Sequence, residues 1–265
     1  SPEITAGLAT AADSELEVDF GLSFVALNAL IMQRYMFEYG WKHADFAAFS
    51  LNAHANAVYN PNARFQKAIT REAFLKANMI CDPINLMDAS PIGDGAAAII
   101  LTSQPVSTLH AQVSVVASSS VVDTISIQNR KTPTRLLAAE KSSQQAYAQS
   151  GIGPDQISLF EYHDAFSIMA ALSLEASGFC APGEGPRLAN EGKIKFDSEI
   201  PVATMGGLKA RGHPVGATGI YQLVEVTQQL RGEAGFTQVK NPKYGMAQNI
   251  GGSGSNITTH ILMRG

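Results

Sequence analysis

Charge is scarce in this sequence. Only 16% of its 265 residues are Asp, Glu, Lys or Arg, against 45% hydrophobic, and the net charge is -4. That balance excludes a disordered chain and a general binder of phosphate backbones, so no nucleic-acid partner is expected. Cysteine is scarcer still. Cys81 and Cys180 stand alone, without a CxxC pair or a Cys/His cluster. They read as reduced thiols of a cytoplasmic protein, with neither a disulfide framework nor a metal site. No apolar run reaches the length of about eighteen residues that a membrane-spanning helix needs. The opening "SPEITAGLATAADSELEVDFG" has no basic stretch leading into an apolar core, so no signal peptide is read there. It has no initiator methionine either, and reads as a chain entered in its middle.

What is present is a change of texture along the chain. Up to about residue 88 the sequence is helical and loop-like. Phe24 to Tyr39 forms a mostly apolar helical pattern stopped by Gly40. A second pattern ends near "NPN", and Thr70 caps a short third one. From residue 96 onward strands and helices alternate. "AAAIIL" (96–101) and "VSVVASS" suit strands, the first buried on both faces. "TPTRLLAAEKSSQQAYAQSG" suits a helix with Thr132 as cap, Pro133 at its first position and Gly151 past its end. "ISLFEYHDAF", a helix closed by Gly178, a strand at "IPVATMGG" and a helix over 215–231 follow. "YGMAQNI" and "NITTHILM", joined by "GGSGS", suit a hairpin at the sheet's edge. Alternation of this kind makes a layered α/β domain, with a border near 103–112.

Three segments could carry chemistry. In "GGLKARGHPVGATG" (206–219), glycines frame His213 at the mouth of a helix. Backbone N–H groups can approach a ligand closely there, the helix start favours negative charge, and the imidazole suits a base or an oxyanion donor. The plain alternative is a structural loop histidine. "EYHDAF" places His163 and Asp164 where a strand hands over to a helix, the usual ligand edge of an open α/β sheet. The alternative there is that Asp164 caps the helix and His163 is a bonded core residue. "QNIGGSGS" (248–255) is by itself only a glycine-rich turn. A GxxxxGK phosphate loop is absent. Three such strand ends in one domain point to a single site.

"GGLKARGHPVGATG", "HDAF" and "NIGGSG", with "SPIGDGAAAIIL" upstream, resemble the thiolase superfamily, and within it the sterol-carrier-protein-2-type and archaeal acetoacetyl-CoA thiolases. The resemblance runs from about residue 20 to the end. It implies an αβαβα layered fold. Residues 1–105 would be the loop region and last strand of a partial first half, and 106–265 the complete second half. His213 would activate a nucleophilic cysteine and bind the thioester oxygen, and His163 would face an oxyanion-hole water or the substrate carbonyl. Ala165 and Phe166 would border the pantetheine tunnel, and Gly251 would supply a backbone N–H to a second oxyanion hole. Basic Arg64, Lys67 and Arg71, with Lys209 and Arg211 around Gly212 in the histidine loop, are expected to meet the phosphates of coenzyme A. No cofactor is expected beyond the CoA thioester substrate. A homodimer or tetramer is the expected assembly.

Two departures from the family pattern matter. Asn249 and Ala165 occupy the two places where relatives carry an acid/base cysteine. The nucleophilic cysteine itself belongs upstream of this chain, since Cys81 and Cys180 fit no nucleophile elbow and read as buried small apolar residues. It is therefore expected from a preceding segment or a partner subunit, and the chain alone is expected to be inactive. The implied reaction is Claisen condensation or thiolysis of an acyl-CoA. A CoA-thioester side-chain aldolase, using Tyr162 or Tyr244, and a non-catalytic acyl-CoA-binding subunit are the alternatives.

Overall fold

The computed structural model describes residues 2–104 and 110–265. Eight α-helices among them are α1 (Pro2–Ala9), α2 (Phe24–Tyr39), α3 (Ala47–Ala57), α4 (Arg71–Leu75), α5 (Leu137–Ser150), α6 (Ser167–Ala176), α7 (Gly185–Asn190) and α8 (Thr218–Arg231). The strands are β1 (Met79–Cys81), β2 (Ile84–Asn85), β3 (Val113–Val122), β4 (Leu159–Glu161), β5 (Tyr244–Gly251) and β6 (Asn256–Arg264). β1 and β2 form a small ribbon. The other four make one sheet in the order β3-β6-β5-β4, antiparallel except for the parallel pair β4 and β5. The expected edge hairpin is thus central, because β3 closes one side of it and β4 the other.

Side chains alternate across a strand, and β5 shows what that does. Gln248 bonds Ser143 of α5 at 3.0 Å, whereas Asn249 bonds Gln222 of α8 at 3.2 Å. Helices α5 and α6 therefore cover one face of the sheet and α8 the other. The core between them includes Phe160, Tyr162, Ile168, Met246 and Ile261, and it continues into α2 and α3 through Met32, Tyr35, Phe46 and Phe49.

Local signals in the sequence are reproduced at several ends. Gly40 and Gly151 close α2 and α5 in left-handed geometry, and Thr70 accepts the Ala73 N–H at 3.1 Å. Other expectations are corrected. Thr132 and Pro133 form a turn, and α5 starts only at Leu137. "IPVATMGG" contributes a single bridge, Phe160 to Val202, in place of a strand. Residues 96–101 are irregular, with Ile100 91% and Leu101 73% exposed. β-propensity needs a neighbouring strand to hydrogen-bond, and no described strand lies beside this segment. The border expected at 105/106 falls on residues 105–109, outside the described ones.

Candidate active site

A cavity of about 950 Å³ opens where the three segments meet. Its wall includes His163, Ala165, Phe166, Lys209, His213, Asn249 and Gly251, with Arg64 and Lys67 also on it. Most of its remaining lining is apolar, from Phe24, Val25, Ile80, Leu86 and Met169 among others. The segment 88–92 ties the two histidine loops together. Ser90 donates its N–H to the Ala165 carbonyl at 2.8 Å, Ala89 bridges Phe166, and Ile92 bridges His213.

The two histidines face each other edge to face, with ring centroids 5.0 Å apart. His213 holds Thr218 Oγ1 at 2.7 Å through Nδ1, which leaves Nε2 for the cavity. Burial, and then the charge of Arg211, push His213 down to about 4. His163 is lowered well below the ordinary histidine value by burial, then by His213 and Arg211, and its buried Nδ1 makes no hydrogen bond. Both rings are therefore neutral at neutral pH, and neutral imidazole is the form that can take a proton. The backbone of Gly212 explains part of the glycine framing: its φ of 118° is one that a side chain would strain.

The basic residues divide. Lys209 and Arg211, expected at the nucleotide, are 1% and 5% exposed. Lys209 Nζ donates to the carbonyl of Asp88, and burial pushes its ammonium down to about 8 against the attraction of Asp88 and Asp164. Arg211 donates to Glu225 Oε2 at 2.7 Å and stacks over Tyr221. Neither can leave its partners for phosphates in solvent, because an unpaired buried charge is costly. Gly212 itself does not line the cavity, and Arg71 bonds Asn190 instead. Arg64, whose Nη1 donates to the Ile92 carbonyl, and Lys67 are the exposed cations on the cavity wall.

Asp164 is not the cap of α6. Its Oδ1 accepts the Leu208 N–H at 2.7 Å and so ties the "HDAF" segment to the histidine loop. Burial raises its pKa. Among the described residues no cysteine lines the cavity. Both cysteines are half-buried against the core instead of fully enclosed, and burial, with Glu175 next, pushes Cys180 up to about 12. That is the opposite of an activated thiol. Tyr162 is wholly buried behind the cavity wall, and Tyr244 sits at the far end of β5, so neither tyrosine of the aldolase alternative reaches the cavity.

The cavity thus presents two neutral imidazoles, His163 just past β4 and His213 on the loop that leads into α8. This chain belongs to the thiolase family: residues 119–264 match the family described as "Thiolase C-terminal domain-like". It is 42% identical, over 98% of its length, to the acetyl-CoA acetyltransferase of Methanothermobacter thermautotrophicus, of which it spans 68%. It is 33% identical over 87% of its length to sterol carrier protein 2 of Rattus norvegicus, of which it spans 44%. Among solved structures, one described as "Ltp2-ChsH2(DUF35) aldolase" has a TM-score of 0.83 at 24% identity, covering 94% of this chain and 65% of that one. At that identity the likeness is one of fold.

Sequence reading missed Thr218, Gln222 and Glu225, which hold the site from behind. Their signal was present as a polar repeat at helical spacing, but polar stripes ordinarily face solvent.

Proposed function

We propose that this chain supplies the proton-transfer and oxyanion-binding part of a thiolase-type acyltransferase acting on acyl-CoA thioesters in the cytoplasm. The observation that carries the reading is the pair of neutral, nearly perpendicular imidazoles on one apolar cavity. His213, through Nε2, takes the proton of an incoming thiol or hydrogen-bonds a thioester oxygen. His163 serves the carbonyl on the facing side. Preorganised donors in a water-poor cavity stabilise the charge that develops on a thioester oxygen as its α-carbon is deprotonated. The apolar lining takes the acyl group and pantetheine arm, and Arg64 with Lys67 takes the phosphates. CoA thioester is the substrate, and no resident cofactor is required for these steps.

The acyl-holding cysteine is proposed to come from outside these residues, from a further segment of the protein or a partner chain, because neither cysteine here meets the cavity. A homodimer or tetramer is the proposed assembly. The test uses the intact protein: acyl exchange between acetyl-CoA and free CoA, and acetoacetyl-CoA thiolysis, measured with wild type and His213→Ala. Turnover by wild type that is lost in the folded variant supports the reading. Absence of both reactions in wild type would overturn it, as would full activity of the variant.

A further inference from the structure

Helix α8 carries a stripe that runs against the usual logic of a buried helix face. Thr218, Gln222 and Glu225 are 0%, 1% and 3% exposed. Their spacing of i, i+4 and i+7 places them on one side of the helix. A stripe that serves only the core is apolar, and burying polar groups costs free energy unless each finds a partner. Here each one has a partner, and together the partners span the His213 loop, the end of β4 and the end of β5.

Thr218 Oγ1 meets His213 Nδ1 at 2.7 Å. Gln222 Nε2 donates to the carbonyls of Tyr162 and Gln248, at 2.9 Å each. Carbonyl oxygens cannot donate, so this amide has one permitted orientation. Its Oε1 is left to accept from Asn249 Nδ2 at 3.2 Å. One side chain thereby joins the residue before His163 to the residue before Asn249 and to Asn249 itself. Glu225 Oε2 takes the Arg211 guanidinium at 2.7 Å, two residues ahead of His213.

We propose that this buried polar stripe is the positioning device of the active site, holding the His213 loop, the end of β4 that leads to His163 and the end of β5 that carries Asn249 in one mutual register. The inference rests on the acyl-transfer reading, and makes Thr218 and Gln222 positioning residues that act through His213, His163 and Asn249 without touching substrate.

The test compares Thr218→Val, which replaces the hydroxyl by a methyl of similar size, with Thr218→Ser, which keeps the hydroxyl, and adds Gln222→Met, all in the intact protein. Displacing catalytic groups by a fraction of their working geometry costs about tenfold or more in rate. Thr218→Val and Gln222→Met should therefore lose about that much kcat per folded molecule with little change in KM, the signature of a transition-state contact. Thr218→Ser should stay near wild type. Retained kcat in both Thr218→Val and Gln222→Met would overturn the proposal, as would a loss in Thr218→Ser equal to that in Thr218→Val. Should Gln222→Met fail to fold, the two Thr218 variants decide. Titration of the His213 imidazole by nuclear magnetic resonance gives a readout independent of turnover. Its midpoint should move in Thr218→Val and return in Thr218→Ser, and an unmoved midpoint would remove Thr218 from the device. A wild type without acyl transfer would sink the enzymatic reading, while this titration would still report the contact.

Discussion

The imidazoles of His163 and His213 lie at 88° to each other with centroids 5.0 Å apart, although 50 residues separate them in the chain. Burial keeps both neutral, and His213 further disfavours a charge on His163, since two imidazolium ions this close would repel. A proton taken by one ring therefore hinders uptake by the other.

Activity should consequently persist to unusually low pH. His213 must be neutral to act as a base, and its pKa is pushed down to about 4, below the ordinary value of 6.5. The acidic limb of kcat/KM should fall below the ordinary histidine range. A limb near 6.5 would show that the catalytic imidazole is better solvated than this one. Loss of a positioned general base or oxyanion donor costs about a hundred-fold or more. His213→Ala should lose that much, and His163→Ala less, because water can replace part of a donor's role.

Stability should decline as pH rises through neutrality. Glu161 is wholly buried, and burial first, then the Glu225 carboxylate, push it up to about 8 despite its bonds to Thr204 at 2.8 and 2.6 Å. Its ordinary value is 4.5. Below 4.5 both folded and unfolded chains hold the proton, so nothing is lost. Between 4.5 and about 8 only the folded chain holds it, and each step up in pH favours unfolding. Glu161→Gln should flatten that slope in denaturant titrations run across this window. An unchanged slope would place the titration elsewhere.

Gly207→Ala should be strongly destabilising. A Cβ there would stand 2.6 Å from Asp164 Oδ2, and φ is 53°. Left-handed strain at a residue with a side chain costs about 1–3 kcal/mol, and displacing the carboxylate also loosens its bond to Leu208. Thermal melting of the variant checks this; a melting temperature within experimental error of wild type would refute it.

Binding of CoA should weaken as salt rises, with the dependence carried by Arg64 and Lys67. Exposed cations lose their grip on phosphate when ions screen them. Calorimetry on Arg64→Ala and Lys67→Ala should show weaker binding and a shallower salt response. Lys209→Met should leave the salt response intact, because that ammonium is committed to the protein interior.

The 265 residues expressed alone should self-associate. Ile100 and Leu101 stand in solvent on an irregular segment, and extended apolar runs of this kind template pairing with other chains. Light scattering on the chain and on an Ile100→Ser, Leu101→Ser double variant would settle it, the variant being the more monodisperse. Equal monodispersity of both would show the segment to be harmless.

Helix stops, turn glycines and the His213 loop were legible because each depends on its own few residues. So was the meeting of the three segments at one cavity, although only those after β4 and on β5 come from strands, which run parallel. What escaped depends on distant partners. Arg211 looked like a surface cation because Glu225, fourteen residues later, carries no local mark of pairing. Residues 96–101 read as a strand from composition, yet a strand exists only beside another. Of the apolar residues at helical spacing in α8, Leu230 is fully enclosed, whereas Ile220, Leu223 and Val224 are half-buried. The enclosed side of the helix carries Thr218, Gln222 and Glu225 together with Val226, Gln229 and Leu230.

The mixed polar and apolar enclosure of α8 bears on how the protein can fail. If α8 anchors the site loops as proposed above, local opening has two separate grades. Fraying of α5, none of whose residues lines the cavity, would leave the histidines in place. Partial release of α8, by contrast, would scatter them while most secondary structure survives, giving molecules that look native to circular dichroism and catalyse nothing. Amide exchange along α8 then reports the competent fraction more faithfully than any bulk measure of foldedness.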